Sequence, residues 1–101
     1  MSLGLFTPIG ATVNIAATTS TARVALADGT SSGRSVRICN DGLVTVFIAF
    51  GNSAIEATAA AGIPIKPGMV EAMECGKGVT HIAAITAAGA ATIYFTPGQG
   101  A

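Results

Sequence analysis

The segment Gly76-Lys77-Gly78-Val79-Thr80 sets a lysine between glycines ahead of a hydroxyl, the ingredients of a phosphate-cradling loop. Its spacing does not meet that chemistry. A phosphate loop needs a glycine five positions before the second glycine and a Ser or Thr directly after the lysine. Glu71 stands at the first of those places and Gly78 at the second, with a strand-like run rather than a helix following. A hairpin turn is the better reading.

His81, the single histidine, has the chemistry of a general base or a metal ligand. Its neighbours on one strand face would be Val79, Ala83 and Ile85, with no acid or second histidine nearby in the sequence. A hydrogen-bonded structural histidine, or one at an interface, is expected. Asp28, Asp41, Ser31, Ser32 and Ser35 could be combined with it into a triad, but no Gly-x-Ser-x-Gly is present and each of them suits a turn. Glu71 and Glu74 could act as an acid–base pair. Their odd spacing puts them on opposite faces of a strand, where they cannot grip one atom. Cys39 and Cys75 are too few for a structural zinc site, which wants four ligands. They are expected as buried thiols rather than a disulfide. No catalytic, cofactor-binding or metal-binding residue is therefore assigned.

Composition narrows the partners. Charged residues are 10% of the chain and hydrophobic ones 50%, with five basic residues against five acidic ones. No long-range field draws nucleic acid or an anionic membrane to such a surface. Arg23, Arg34 and Arg37 are too few for a nucleic-acid stripe, and aromatics for base stacking are scarce. Apolar runs stop well short of the roughly 20 residues of a spanning helix. The N-terminus has neither a basic region nor a continuous apolar one, so no signal peptide is expected and synthesis in the cytosol follows.

Turn signals recur at short intervals, which marks an all-β sandwich or barrel. Asp41-Gly42 reads as a tight hairpin turn and Pro67-Gly68 as the middle of a type II turn. Ala88-Gly89 and Pro97-Gly98 punctuate the C-terminal part. Segments rich in Val, Ile and Thr predict strands over 12–17, 22–27, 35–40, 43–50, 69–75, 79–86 and 90–96. Ser53 to Glu56 fits a capping box, but the alanine-rich run to Ala61 is short for a helix, and a loop or one helical turn is expected. Residues 1–10 read as an extended N-terminal arm and 11–101 as one antiparallel β-sandwich domain of about seven to eight strands.

The strand over 43–50 is apolar on both faces. Val44, Val46, Ile48 and Phe50 line one, Leu43, Thr45, Phe47 and Ala49 the other. The first set, bulkier and more uniform, is assigned to the core. A chain of 101 residues has little mass to cover the second face, so a partner surface is expected there. Low charge agrees with a life packed against neighbours.

From Ser35 onward the chain resembles a family. Val-Arg-Ile-Cys-Asn-Asp-Gly (36–42) precedes Val-Phe-Ile-Ala-Phe-Gly-Asn-Ser (46–53), Gly-Ile-Pro-Ile-Lys-Pro-Gly (62–68), Val-Thr-His-Ile-Ala-Ala-Ile (79–85) and Ile-Tyr-Phe-Thr-Pro-Gly-Gln-Gly (93–100). This order is similar to small virion proteins of tailed bacteriophages, prophages and gene-transfer agents, of the head-decoration or head-spike-base type. The resemblance covers roughly the last two-thirds and rests on structural motifs. It implies a jelly-roll-like sandwich without a cofactor, on the outer surface of a particle.

The expectation is a homo-oligomeric decoration, cement or spike-base subunit, made in the bacterial host cytoplasm and docked in the virion on the major capsid protein or other virion proteins. Interface candidates are Leu43, Phe47 and Tyr94, with Leu3, Leu5 and Phe6 of the arm reaching a neighbour. The alternatives are a carbohydrate-binding or host-adhesion sandwich, which the absence of Trp and the single Tyr disfavour, and a tail or baseplate component.

Overall fold

The computed structural model describes residues 7–8, 11–26, 35–74 and 79–99. Its strands are β1 (Thr7–Pro8), β2 (Val13–Ala17), β3 (Ala22–Ala25), β4 (Ser35–Asn40), β5 (Val46–Gly51), β6 (Ile63–Ile65), β7 (Val70–Glu74), β8 (His81–Thr86) and β9 (Ala91–Gln99). No helix occurs among the described residues.

The strands pair as one long antiparallel hairpin doubled on itself. β2 lies against β9, β3 against β8, β4 against β7 and β5 against β6, with the apex at the 52–62 connection. Rolling that ribbon brings β4 beside β9 and β5 beside β8. Two antiparallel sheets result, β2-β9-β4-β7 and β3-β8-β5-β6, and this is the strand order of a jelly roll. β1 adds two residues beside the end of β9.

Alternation puts one face of each sheet inside. Ile15, Ala17, Val36, Ile38, Ile93 and Phe95 from the first sheet meet Val46, Ile48, Ile65, Ile82 and Ala84 from the second. Val46 and Ile48 are fully buried, so the assigned core face of the fifth strand is the observed one. That strand is shorter than the expected 43–50, because residues 42–45 form the bend that carries the chain from one sheet to the other.

Asp41-Gly42 is therefore not a hairpin turn: β4 and β5 belong to different sheets. Nor does Gly42 need a positive φ, which among the described glycines occurs at Gly68 and Gly89. The reversal is organised by Asn40, a fully buried side chain at the end of β4. Its Nδ2 donates to the carbonyls of Val44 (2.9 Å) and Ile65 (2.8 Å), and its Oδ1 accepts from the Gly42 N–H (3.0 Å).

Pro67-Gly68 is the expected type II turn. The Met69 N–H donates to the Lys66 carbonyl at 3.0 Å, and Gly68 sits at φ +77° in the position that requires it. A Cβ on Gly68 would meet nothing within 4 Å, so Gly68→Ala isolates backbone strain. A loss of about 1 kcal/mol in urea unfolding is expected; an unchanged midpoint would mean that the turn relaxes.

The 52–62 connection is a loop, as expected, despite its capping-box pattern. The Asn52 side chain takes the Ala54 N–H, and a single Thr58-to-Gly62 turn closes the alanine-rich run. The short strand Ile63–Ile65 was not foreseen, and it carries Pro64 on a sheet edge, where a missing N–H is tolerated.

Candidate interaction surfaces

The residues with chemical potential are dispersed over the sandwich. Gly76, Lys77 and Gly78 lie outside the described residues, as do Cys75, Asp28, Ser31, Ser32 and Arg34. His81 stands half-buried on the outer side of β8, with its Nδ1 2.8 Å from the Thr80 hydroxyl. Glu71 lies opposite Ile38 and Glu74 opposite Ser35, so the two carboxylates occupy different faces of β7. Arg23 reaches the carbonyl of Ile55 at 3.4 Å, a contact within the chain. Cys39 is a free thiol, half-buried on β4. Among the described residues no three His, Cys, Asp or Glu side chains gather where they could hold a metal ion.

What the fold does assemble is surface, and it differs on the two sheets. The outer side of β3-β8-β5-β6 carries Arg23, Ala83, Ile85, Phe47 and Ala49. Ala83 is fully buried although it faces away from the core. The 52–62 loop crosses this side. Thr21 accepts from the Ala57 N–H at 2.9 Å, Arg23 holds the Ile55 carbonyl, and a Cβ on Gly51 would lie 2.9 Å from the Ile55 side chain. A Cβ on Gly62 would come 2.7 Å from that of Phe47. The expectation that a partner surface covers the second face of the fifth strand is thus corrected. A ribbon doubled at 52–62 returns its own apex over that face, and Phe47 is half-buried beneath it.

The outer side of β2-β9-β4-β7 has no such cover among the described residues. Asn14 pairs with Tyr94, Tyr94 with Cys39 and Cys39 with Val70, so these four make one row across all four strands. Val70 is 49% exposed and Tyr94 36%. Thr12 and Thr96 join hydroxyls beside the row at 2.8 Å, and Arg37 and Glu74 bring charge to this side. At one end of the same face stands Leu43, 92% exposed. Contrary to the expected strand over 43–50, it is not a strand residue but the tip of the bend after Asn40, because the sheet switch occurs there. Leu43 borders an open cleft of about 310 Å³ lined also by Ala16, Asp41, Ala90, Ala91 and Thr92.

Two of the sequence-derived candidates, Leu43 and Tyr94, therefore share one uncovered face, whereas Phe47 lies on the other sheet. Leu3, Leu5 and Phe6 lie outside the described residues. Val70 and Cys39 escaped the sequence reading. The alternation of Val70, Ala72 and Glu74 against Glu71 and Met73 was the available signal, but a single valine beside a core-like methionine does not tell which side is wet.

Comparison of the chain with protein-family models, with curated proteins and with solved structures returns no match.

Proposed function

We propose that the chain is a structural assembly subunit that acts by burying the outer face of its β2-β9-β4-β7 sheet against neighbouring protein. On the resemblance of its last two-thirds to small virion proteins, those neighbours would be components of a phage-type particle. The chain would then be a decoration, cement or spike-base subunit seated on capsid protein. The observation that carries this reading is the row Tyr94–Cys39–Val70, uncovered among the described residues, with Leu43 projecting at one end of the same face. A fully solvated leucine beside an alanine-lined cleft has no role in the stability of the isolated chain, and burying it in a partner is worth about 2 kcal/mol. Many copies on one particle would multiply so modest an interface through avidity.

Binding to particles lacking the protein tests this by co-sedimentation. Leu43→Asp is expected to weaken binding roughly 30-fold while leaving the thermal midpoint unchanged, since 2 kcal/mol is close to that factor in affinity. Unchanged capsid affinity, or hits on a glycan array in place of capsid binding, would overturn the assignment. Tail fractions that bind where heads do not would move the subunit to the tail or baseplate.

A further inference from the structure

A sandwich of two open sheets has four edges, and the chain treats them unequally. On β7 the side chain of Glu71 points to the core side, an inward charge that penalises any strand added there. On β6 the edge is three residues long and contains Pro64. β3 carries the charged Arg23. β2 has none of these devices. Its sequence is Val-Asn-Ile-Ala-Ala, it pairs with β9 on one side, and among the described residues nothing pairs with the other. The whole stretch from Ala11 to Ala22 contains no charge and no proline. Asn14 and Ala16, its outward side chains, are exposed and small enough to let another backbone approach.

We propose that β2 pairs antiparallel with β2 of a second copy about a twofold axis at Ile15, joining the two sheets into one continuous sheet. The choice of partner follows from symmetry and charge. Pairing about Ile15 sets Val13 opposite Ala17 and Asn14 opposite Ala16, so core-side residues stay on the core side in both chains. The contact is isologous and closes at two chains, using the one edge left unguarded among the described residues. A net charge of zero and an uncharged strand leave identical copies without the repulsion that Arg23 or Glu71 would impose on other edges. The pairing also places two copies of the Leu43 and Tyr94 face side by side on one continuous surface. It thereby deepens the assembly reading without depending on what the surface docks to.

Sedimentation equilibrium and concentration-dependent hydrogen exchange test the pairing, with far-UV circular dichroism as a check on folding. The wild type is expected to dimerise, with amides of 13–17 gaining protection as concentration rises. Asn14→Lys with Ala16→Lys sets lysines opposite each other twice and is expected to give a folded monomer. Asn14→Lys with Ala16→Glu sets unlike charges at the same places and is expected to keep the dimer. A wild type that remains monomeric at high concentration overturns the proposal, and so does a lysine double variant that still dimerises. Equal behaviour of the two double variants overturns the Ile15 register. A dimer that does not bind capsids would sink the proposed function and leave the pairing intact; a monomer that binds them would do the reverse.

Discussion

Asn40→Ala is expected to destabilise the protein by about 3 kcal/mol in urea unfolding, a large part of the roughly 5–15 kcal/mol that holds a small domain together. The substitution leaves the carbonyls of Val44 and Ile65 and the N–H of Gly42 without the side chain that satisfies them in a fully buried place. The backbone of Asn40 already joins Met69 and Gly68, at 3.1 and 2.9 Å, so one residue ties the sheet switch to the Pro67-Gly68 turn. Asn40→Asp keeps the shape and sharpens the test. An ionised carboxylate would face two carbonyls it cannot donate to, so burial raises its folded pKa above the unfolded value near 4. A raised acid pKa costs stability above the unfolded pKa, and the cost shrinks as pH falls through the folded one. The aspartate variant should therefore lie further below wild type at pH 7 than at pH 4. A loss under 1 kcal/mol for the alanine variant would mean that water replaces the amide.

Gly42→Ala should cost about as much, for a steric reason. A Cβ at residue 42 would fall 2.2 Å from the Cβ of Ala91 and 2.8 Å from its Cα. Separations of that size force backbone to move in the bend or in β9, and overpacking of this kind costs about 1–3 kcal/mol. The second contact is with backbone, which has no rotamer to change, so the upper end is expected. Ala91→Gly removes the first contact and not the second. The double variant should recover part of the loss, with a coupling of about 1 kcal/mol or more in a thermodynamic cycle. Strict additivity of the two substitutions would show that the clash is relieved elsewhere.

These two sites also show where sequence reasoning stopped. Asp41-Gly42 between apolar runs has the composition of a hairpin, and composition alone selects that reading. Whether the runs it joins pair with each other or go to opposite sheets is set by which other strands compete for their edges. β4 is taken by β7 and β9, and β5 by β6 and β8. The glycine is required for its closeness to Ala91, almost fifty positions away, and no local pattern reports that. Asn40 has the same character: an asparagine before Asp-Gly reads as turn chemistry, and only the return of β6 alongside makes it a buried hub.

The interaction face divides in the same way. Tyr94 was legible as an aromatic residue on the side opposite a core face, because period-two alternation is local; Leu43 is exposed for another reason, its place in the bend after Asn40. Phe47 has the same local signature, yet the loop at 52–62 lies over it. Val70 became a surface residue only when β7 took an outer position in its sheet.

By itself the sequence determined the all-β class, most of the strands, the core side of the fifth strand and the Pro67-Gly68 turn. Each depends on side-chain alternation or backbone preference within a few residues. Tertiary structure alone decided the jelly-roll order, the role of Asn40, the self-covering of one sheet and, among the described residues, the exposure of the other. Those features depend on contacts between residues distant in the chain, and burial is a property of what lies above a strand rather than of the strand.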